Sequence, residues 1–320
     1  MSSEAGLLAA IDPTPCWCGS KNWVVQFRSQ RFGLVRCPSC TTFRLDPRPL
    51  QRDDAIPTFY TEFYTAIQEQ EQAATGNLKR GSSRFWRVVR QVPYLDRPGE
   101  AVLDVGCGDG HLCGDLKRGG WTTVMGIDVS VARIESARRR YPDVAFYESI
   151  DAAPIAPGSV ELIIMDNVIE HLLEPASTAR RVRAWLQEGG RLVVITPSMV
   201  SGHFRLLGRR WTPELSPDQH IFLFTPPALA RLLTAVGLTV EAQGSFHLPP
   251  YPWRPWLSAL LRGDVKEAVW RLGQELGAMW GRVIGAGPML YAVARAPGAT
   301  ASADPVPNRR RLHRDFRGGR

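Results

Sequence analysis

Apolar and polar positions along the chain alternate between two textures. Short continuous apolar runs lie near 101–105, 121–127, 144–148, 160–165, 191–196, 238–246 and 289–295, and each predicts a largely buried strand. Between them, stretches such as Ala132 to Arg140 and Pro227 to Val236 read as helices. Strand–helix alternation implies an α/β fold, with helices on both faces of a mostly parallel sheet. One connection breaks the rhythm. Pro249 to Pro288 is far longer than a hairpin, and within it Val265, Val269, Leu272, Leu276, Met279 and Val283 recur like one face of a helix. The expectation is a helix packed on the sheet or on another subunit, with a lid or a peripheral membrane contact as the alternative. Trp253, Trp256, Trp270 and Trp280 would suit a water–lipid interface.

Ligands of such sheets bind outside the carboxyl ends of the strands. Asp104, Asp128, Asp166 and Asn167 all fall at predicted strand ends. The first strand runs through Val102, Leu103, Asp104 and Val105 into Gly106, Cys107, Gly108, Asp109 and Gly110. Glycine at every second position lets a backbone bend where a Cβ would forbid the φ angle or strike a ligand. A dinucleotide fingerprint would need its third glycine one residue later, and there is no G-x-x-x-x-G-K-[ST] phosphate loop. Asp128 ends the next strand at the distance where an acidic residue can accept hydrogen bonds from ribose hydroxyls. Its other reading is a cap for the helix that follows Ser130. The fourth strand ends at Asp166 and Asn167 and leads into Val168, Ile169, Glu170 and His171, and the fifth ends at Thr196 and Pro197.

The pattern D-x-G-x-G-x-G, with the three pieces after it in order, resembles class I S-adenosylmethionine (SAM) methyltransferases over roughly residues 82 to 296. The resemblance implies a Rossmann-like seven-stranded sheet whose last strand enters antiparallel between its neighbours. It implies that the loop of Asp104, Gly106, Gly108 and Gly110 approaches the amino-acid part of SAM, that Asp128 holds the ribose, and that Asp166 and Asn167 help at the methionine end. Two departures stand out: Val160 and Glu161 replace the usual Phe-Asp, and the Gly-Asp pair often found near the adenine is missing around Glu148 and Asp151.

Four of the six cysteines stand at the start, as Cys16 and Cys18 before Gly19, and Cys37 and Cys40 around Pro38 and Ser39. Two close pairs separated by a strand-rich segment match a structural zinc ribbon. Cys107 and Cys113 read as small buried residues. The ribbon, the segment Pro47-Arg48-Pro49 and the aromatic pairs Phe59-Tyr60 and Phe63-Tyr64 resemble the front end of bacterial methyltransferases acting on sugars and polysaccharide precursors. The expected organisation is a ribbon at 1–50, a methyltransferase domain at 51–296 with a helical insertion at 249–288, and a disordered basic tail at 297–320.

Composition adds bounds. The chain has 320 residues, 44% of them hydrophobic, and a net charge of +8. The tail from Arg309 to Arg320 carries six arginines against Asp315, so the body is nearly balanced and a nucleic-acid surface is disfavoured. The start lacks a signal peptide's basic and apolar regions, which makes the cytoplasm the expected location. An oxygen or carbon acceptor needs a base. His171, after the fourth strand, and His220, in a Pro-broken aromatic segment resembling the P-x-x-H-x-x-x-F-[ST] stretch of small-molecule methyltransferases, are the candidates, with His203 and His247 weaker. The resulting expectation is methyl transfer from SAM to a small-molecule or glycan-type acceptor, lipid-linked acceptors included. The rivals are an RNA methyltransferase gripping through ribbon and tail, and a non-catalytic interaction module.

Overall fold

The computed structural model describes residues 11–28, 32–46, 84–208, 219–247 and 255–298. The aromatic pairs between Phe59 and Tyr64, the stretch from Trp211 to Asp218, the Pro-rich start of the insertion and the tail from residue 299 lie outside the described residues.

The larger of two sheets has seven strands: β4 (Ala101–Val105), β5 (Thr123–Ile127), β6 (Ala145–Tyr147), β7 (Val160–Asp166), β8 (Leu186–Pro197), β10 (Thr239–Phe246) and β11 (Met289–Arg295). Their order across the sheet is β10-β11-β8-β7-β4-β5-β6. The five from β8 to β6 run parallel, and β11 lies antiparallel between β8 and β10. The central strands read as unbroken apolar runs because helices cover both faces; Leu192, Val193, Val194 and Ile195 are wholly buried. One boundary differs clearly from the pattern. β8 begins at Leu186, which pairs with Val160 before a register shift brings Arg191 opposite Leu162. Gly189, at φ 72°, lies in that jog.

The helices are α1 (Phe85–Val89), α2 (His111–Arg118), α3 (Val131–Arg140), α4 (Pro175–Trp185), α5 (Gly202–Leu207), α6 (Pro226–Ala235), α7 (Pro255–Leu261) and α8 (Val265–Val283). On one face, Ala179 and Val182 of α4 and Leu229 and Leu232 of α6 join Ile163 and Val194 in one core. On the other, Phe85, Leu112, Leu116 and Ile134 from α1, α2 and α3 join Val102 and Val193. Helix starts follow capping chemistry: the Thr225 hydroxyl accepts from Ala228 N at 3.3 Å, with Pro226 at the first helical position.

The smaller sheet is built from β1 (Val24–Arg28), β2 (Gly33–Arg36), β3 (Phe43–Asp46) and β9 (Phe222–Leu223). Its fourth strand thus comes from the far side of the chain, between β8 and β10. Leu34, Phe43 and Leu45 share a core with Met199 and Leu223. Arg231 donates to the Ser39 carbonyl at 2.8 Å, and the Thr41 and Thr225 hydroxyls are hydrogen-bonded at 3.2 Å. Arg44 of β3 is fully buried. It donates to the Thr14 and Asp12 carbonyls at 2.8 and 2.7 Å and lies over the Trp23 ring, tying the chain before the first cysteine to the sheet.

Candidate cofactor and acceptor site

The glycine loop leaves the carboxyl end of β4 with Gly106, Gly108 and Gly110 at φ 79°, 53° and 73°. All three are left-handed, a conformation that costs an L side chain about 1–3 kcal/mol. The space a Cβ would need is also taken, and by protein. At Gly106 it would strike the Val168 side chain; at Gly108 it would meet Arg133 Nη1 at 2.9 Å; at Gly110 it would meet Phe146 Cζ at 2.6 Å. The bend favours glycine at all three positions, and the packed Val168 and Phe146 side chains demand it at Gly106 and Gly110 as well, while the Arg133 tip beside Gly108 can shift. Cys107 and Cys113 are buried, as expected of small packing residues.

Three carboxylates gather at this edge. Asp128, after β5, accepts from Gly108 N at 2.8 Å with one oxygen and from Ser130 N at 2.9 Å with the other. Asp128 therefore ties down the loop and serves the start of α3, the second of the two readings of this residue. Asp104 is buried, and its carboxyl is pushed well up by desolvation and by the charges of Asp166 and Asp128. Burial also raises Asp128 and Asp166, offset at Asp128 by its two amide donors and at Asp166 by Arg84. Arg84 Nε donates to Asp166 Oδ1 at 2.6 Å, a pairing that no sequence signal announced. Asn167 follows at φ 56°, and its buried Oδ1 has no hydrogen-bond partner among the described residues. A cluster of carboxylates repels pyrophosphate and attracts a ligand bearing ammonium or sulfonium charge. The buried free carbonyl of Asn167 adds an acceptor with nothing to accept.

The segment from Asn167 to His171 links this loop to the histidines. Val168 touches Gly106, the Asn167 amide donates to Ile195 O at 2.9 Å, and the Glu170 carbonyl accepts from Ile221 N at 2.8 Å. The two predicted histidines, 49 positions apart, meet here with ring centroids 4.7 Å apart. Both are mostly buried, His220 at 5% exposure. His171 Nδ1 lies 3.2 Å from the Gln219 carbonyl. A carbonyl only accepts, so Nδ1 carries the proton and Nε2 keeps its lone pair. Burial holds the His171 ring neutral, lowering it to about 4.

Glu170 is a buried titratable residue, beside the two histidines, that sequence reasoning did not single out. It is fully buried, accepts from the Thr196 hydroxyl at 2.9 Å, and is pushed by desolvation up to about 8. Its second oxygen lies 3.9 Å from His171 Nε2. Ligand atoms of Glu170, His171 and His220 lie within 4.8 Å of one another, close enough to surround one cation. His203 and His247 lie elsewhere, beside Gly277 and Gly281 of α8.

The four cysteines Cys16, Cys18, Cys37 and Cys40 also converge, with all sulfurs within 4.8 Å. Cys16 and Cys40 are 3.4 Å apart, and Cys18 and Cys37 3.7 Å. Such spacings suit four thiolates around one tetrahedral ion. Around them, Trp17 Nε1 donates to the Thr42 hydroxyl at 2.8 Å, and that hydroxyl lies 3.2 Å from Cys40 Sγ. The Cys16 hydrogen bond and this hydroxyl bring Cys40 down to about 5, while burial carries Cys18 up to about 11. A cation would relieve the crowding of neighbouring thiols.

A methyltransferase-domain family profile matches residues 78–243, just over half of the chain. The chain belongs to the methyltransferase-domain family, and the protein is a SAM-dependent methyltransferase. Over 141 residues it is 37% identical to an uncharacterized 37.1 kDa protein in transposon Tn4556 of Streptomyces fradiae, a match spanning 42% of this chain and 41% of that protein. It is 27% identical over 174 residues to a ubiquinone biosynthesis O-methyltransferase of Acinetobacter baumannii, covering 50% of this chain and 72% of the relative. Among solved structures, the [4+2]-cyclase SpnF superposes with a TM-score of 0.51 at 16% identity, over 76% of this chain and 96% of that one; this is a likeness of fold. No helix among the described residues is long and apolar enough to cross a membrane.

Proposed function

We propose that this protein methylates an oxygen atom of a small-molecule or glycan-type acceptor, with Glu170, His171 and His220 as the acid–base centre. The supporting observation is the fixed tautomer of His171. Its Nδ1–H is committed to the Gln219 carbonyl, so Nε2 stands as a neutral base beside His220. A hydroxyl must lose its proton as it is methylated, and a positioned base of this kind contributes roughly 10²–10⁴-fold. A nitrogen acceptor with a free lone pair would need no such centre. The matched relatives named as ubiquinone biosynthesis O-methyltransferases agree with an oxygen acceptor.

In this reading Asp104, Gly106, Gly108, Gly110 and Asp128 hold SAM, with Asp166 and Asn167 at its charged methionine end. SAM supplies an activated methyl on a sulfonium. The chain's own work is to bind, to orient the acceptor hydroxyl toward the histidines and to exclude water. Arg84 offsets the burial that raises Asp166. Glu170, largely protonated at neutral pH, lies 3.9 Å from Nε2 of His171. Cys16, Cys18, Cys37 and Cys40 hold one structural zinc ion, a closed set that leaves no place for a substrate. Thiolate ligation of this kind suits a reducing compartment such as the cytoplasm.

The test is incubation with methyl-labelled SAM and a cell extract fractionated into small molecules, glycans, lipid-linked glycans, RNA and protein. Label is expected in an alkali-stable methyl ether of a small molecule or glycan. Label confined to RNA or to nitrogen would overturn the reading.

A further inference from the structure

The helix α8 is turned inside out. Its seat on the body of the protein is made of small residues: Gly277 and Gly281 pack so closely against Gly202 and His203 of α5 that a Cβ on Gly202 would strike the α8 backbone. Gly277, Gly281 and Ala268 are the buried positions of the helix. Its large apolar side chains point the other way. Val265, Val269, Leu272, Leu276, Met279 and Val283 are exposed by 59, 65, 39, 47, 58 and 77%. The helix the sequence predicted therefore exists, but its apolar stripe does not pack on the sheet.

The spacing of that stripe identifies what fits it. The intervals run four, three, four, three, four, the alternation of a coiled-coil seam sustained along the whole helix. Six of the eight large apolar side chains exposed on α8 keep this two-per-heptad seam, with Trp270 and Trp280 beside it, a narrower face than that of a helix lying on a globular core. Its middle is flanked by Gly273 and Glu275, and only its ends by the cations Lys266 and Arg282, a sparse set for gripping an anionic membrane. By their exposed fractions, these six side chains and Trp280 present on the order of 700 Å² per copy, close to the roughly 800 Å² per partner of an ordinary stable interface.

We propose that α8 pairs antiparallel with α8 of a second copy of this chain about a two-fold axis near the helix midpoint. The layers would be Val265 with the other copy's Val283, Val269 with Met279, and Leu272 with Leu276, each seam residue meeting one of the opposite heptad class. The same alignment lays the exposed Lys266 beside the exposed Trp280 of the other copy at both ends, a cation over an aromatic ring. A two-fold contact of this kind is self-complementary and closes at two chains. Because α5 follows the exit of β8, dimerisation would brace the segment beside the carboxyl edge of the sheet.

Light scattering on the full chain at micromolar concentration is expected to give twice the 35.6 kDa chain mass. The double variant Leu272→Glu/Leu276→Glu should run at the single-chain mass with its circular dichroism and SAM binding intact. Independently of that variant, Val265→Cys/Val283→Cys should form a covalent dimer on mild oxidation, while Val265→Cys alone should not. A wild-type monomer at these concentrations, or a dimer that survives both glutamates, would overturn the proposal. So would a covalent dimer through Val265→Cys alone, which demands parallel helices, or a monomer that sediments with phosphatidylglycerol vesicles.

Discussion

A single backbone carbonyl sets the chemistry proposed for His171. Because Gln219 O takes the Nδ1 proton, replacing the ring should remove a base without disturbing the glycine loop. His171→Ala is expected to lower kcat by about 10²–10⁴ while calorimetry shows SAM affinity little changed. Asp128→Ala should do the reverse, weakening SAM by at least about tenfold, or ~1.4 kcal/mol, because it frees Gly108 as well as removing the proposed ribose partner. Glu170 makes a pH prediction. Its folded carboxyl is raised from 4.5 to about 8, so its contribution to stability is complete below about 4.5 and is lost as pH rises through about 8. His171, lowered from 6.5 to about 4, contributes the opposite: its share is full above about 6.5 and is lost as pH falls through about 4. Between 6.5 and 8 only the Glu170 effect acts of the two. The melting temperature should fall across that interval, and Glu170→Gln should flatten the fall. His171 was legible as a candidate because it follows an apolar run, and His220 because it lies in a Pro-broken aromatic segment of a recognisable pattern. Glu170 was not, since a fully buried carboxyl and a solvated one look alike in a sequence.

The glycine loop and the cysteine cluster act as units. Gly106→Ala combines a left-handed φ with a collision against Val168, so denaturant titration should show a loss of roughly 1–3 kcal/mol together with weaker SAM binding. The loop was readable from spacing alone, yet its physical reason was only half visible: the Cβ volumes are occupied by Val168, Arg133 and Phe146, residues 25 to 62 positions away in sequence. For the cysteines, metal analysis is expected to find one zinc per chain, and Cys37→Ser should lose it and lower the melting temperature. A four-cysteine pattern is legible because few other chemistries need that spacing. Helix α8 shows the converse. Its periodicity was plain, but the side on which the apolar stripe lies depended on the glycines of α5 and α8.

Across the whole molecule, the two sheets are joined where the chemistry is proposed. β9 begins two residues after His220, pairs with β3 of the cysteine lobe, and is held by Leu45 N donating to Ile221 O at 3.1 Å. Stripping zinc should therefore loosen a histidine of the acid–base centre. Hydrogen exchange after chelation is expected to speed up at 219–225 as well as around the cysteines, with kcat falling more than SAM affinity. Unchanged exchange at 219–225 would show that the lobe is only appended. The order of elements, the parallel sheet, the glycine bend and the acidic strand ends were determined by the sequence itself, because each rests on local periodicity or on a conformation that few residue types allow. The borrowed strand, the Arg84–Asp166 pair, the buried Glu170 beside two histidines and the outward turn of α8 were decided only by the tertiary structure. Each depends on which distant residues occupy the neighbouring volume, and no local pattern along a chain encodes that.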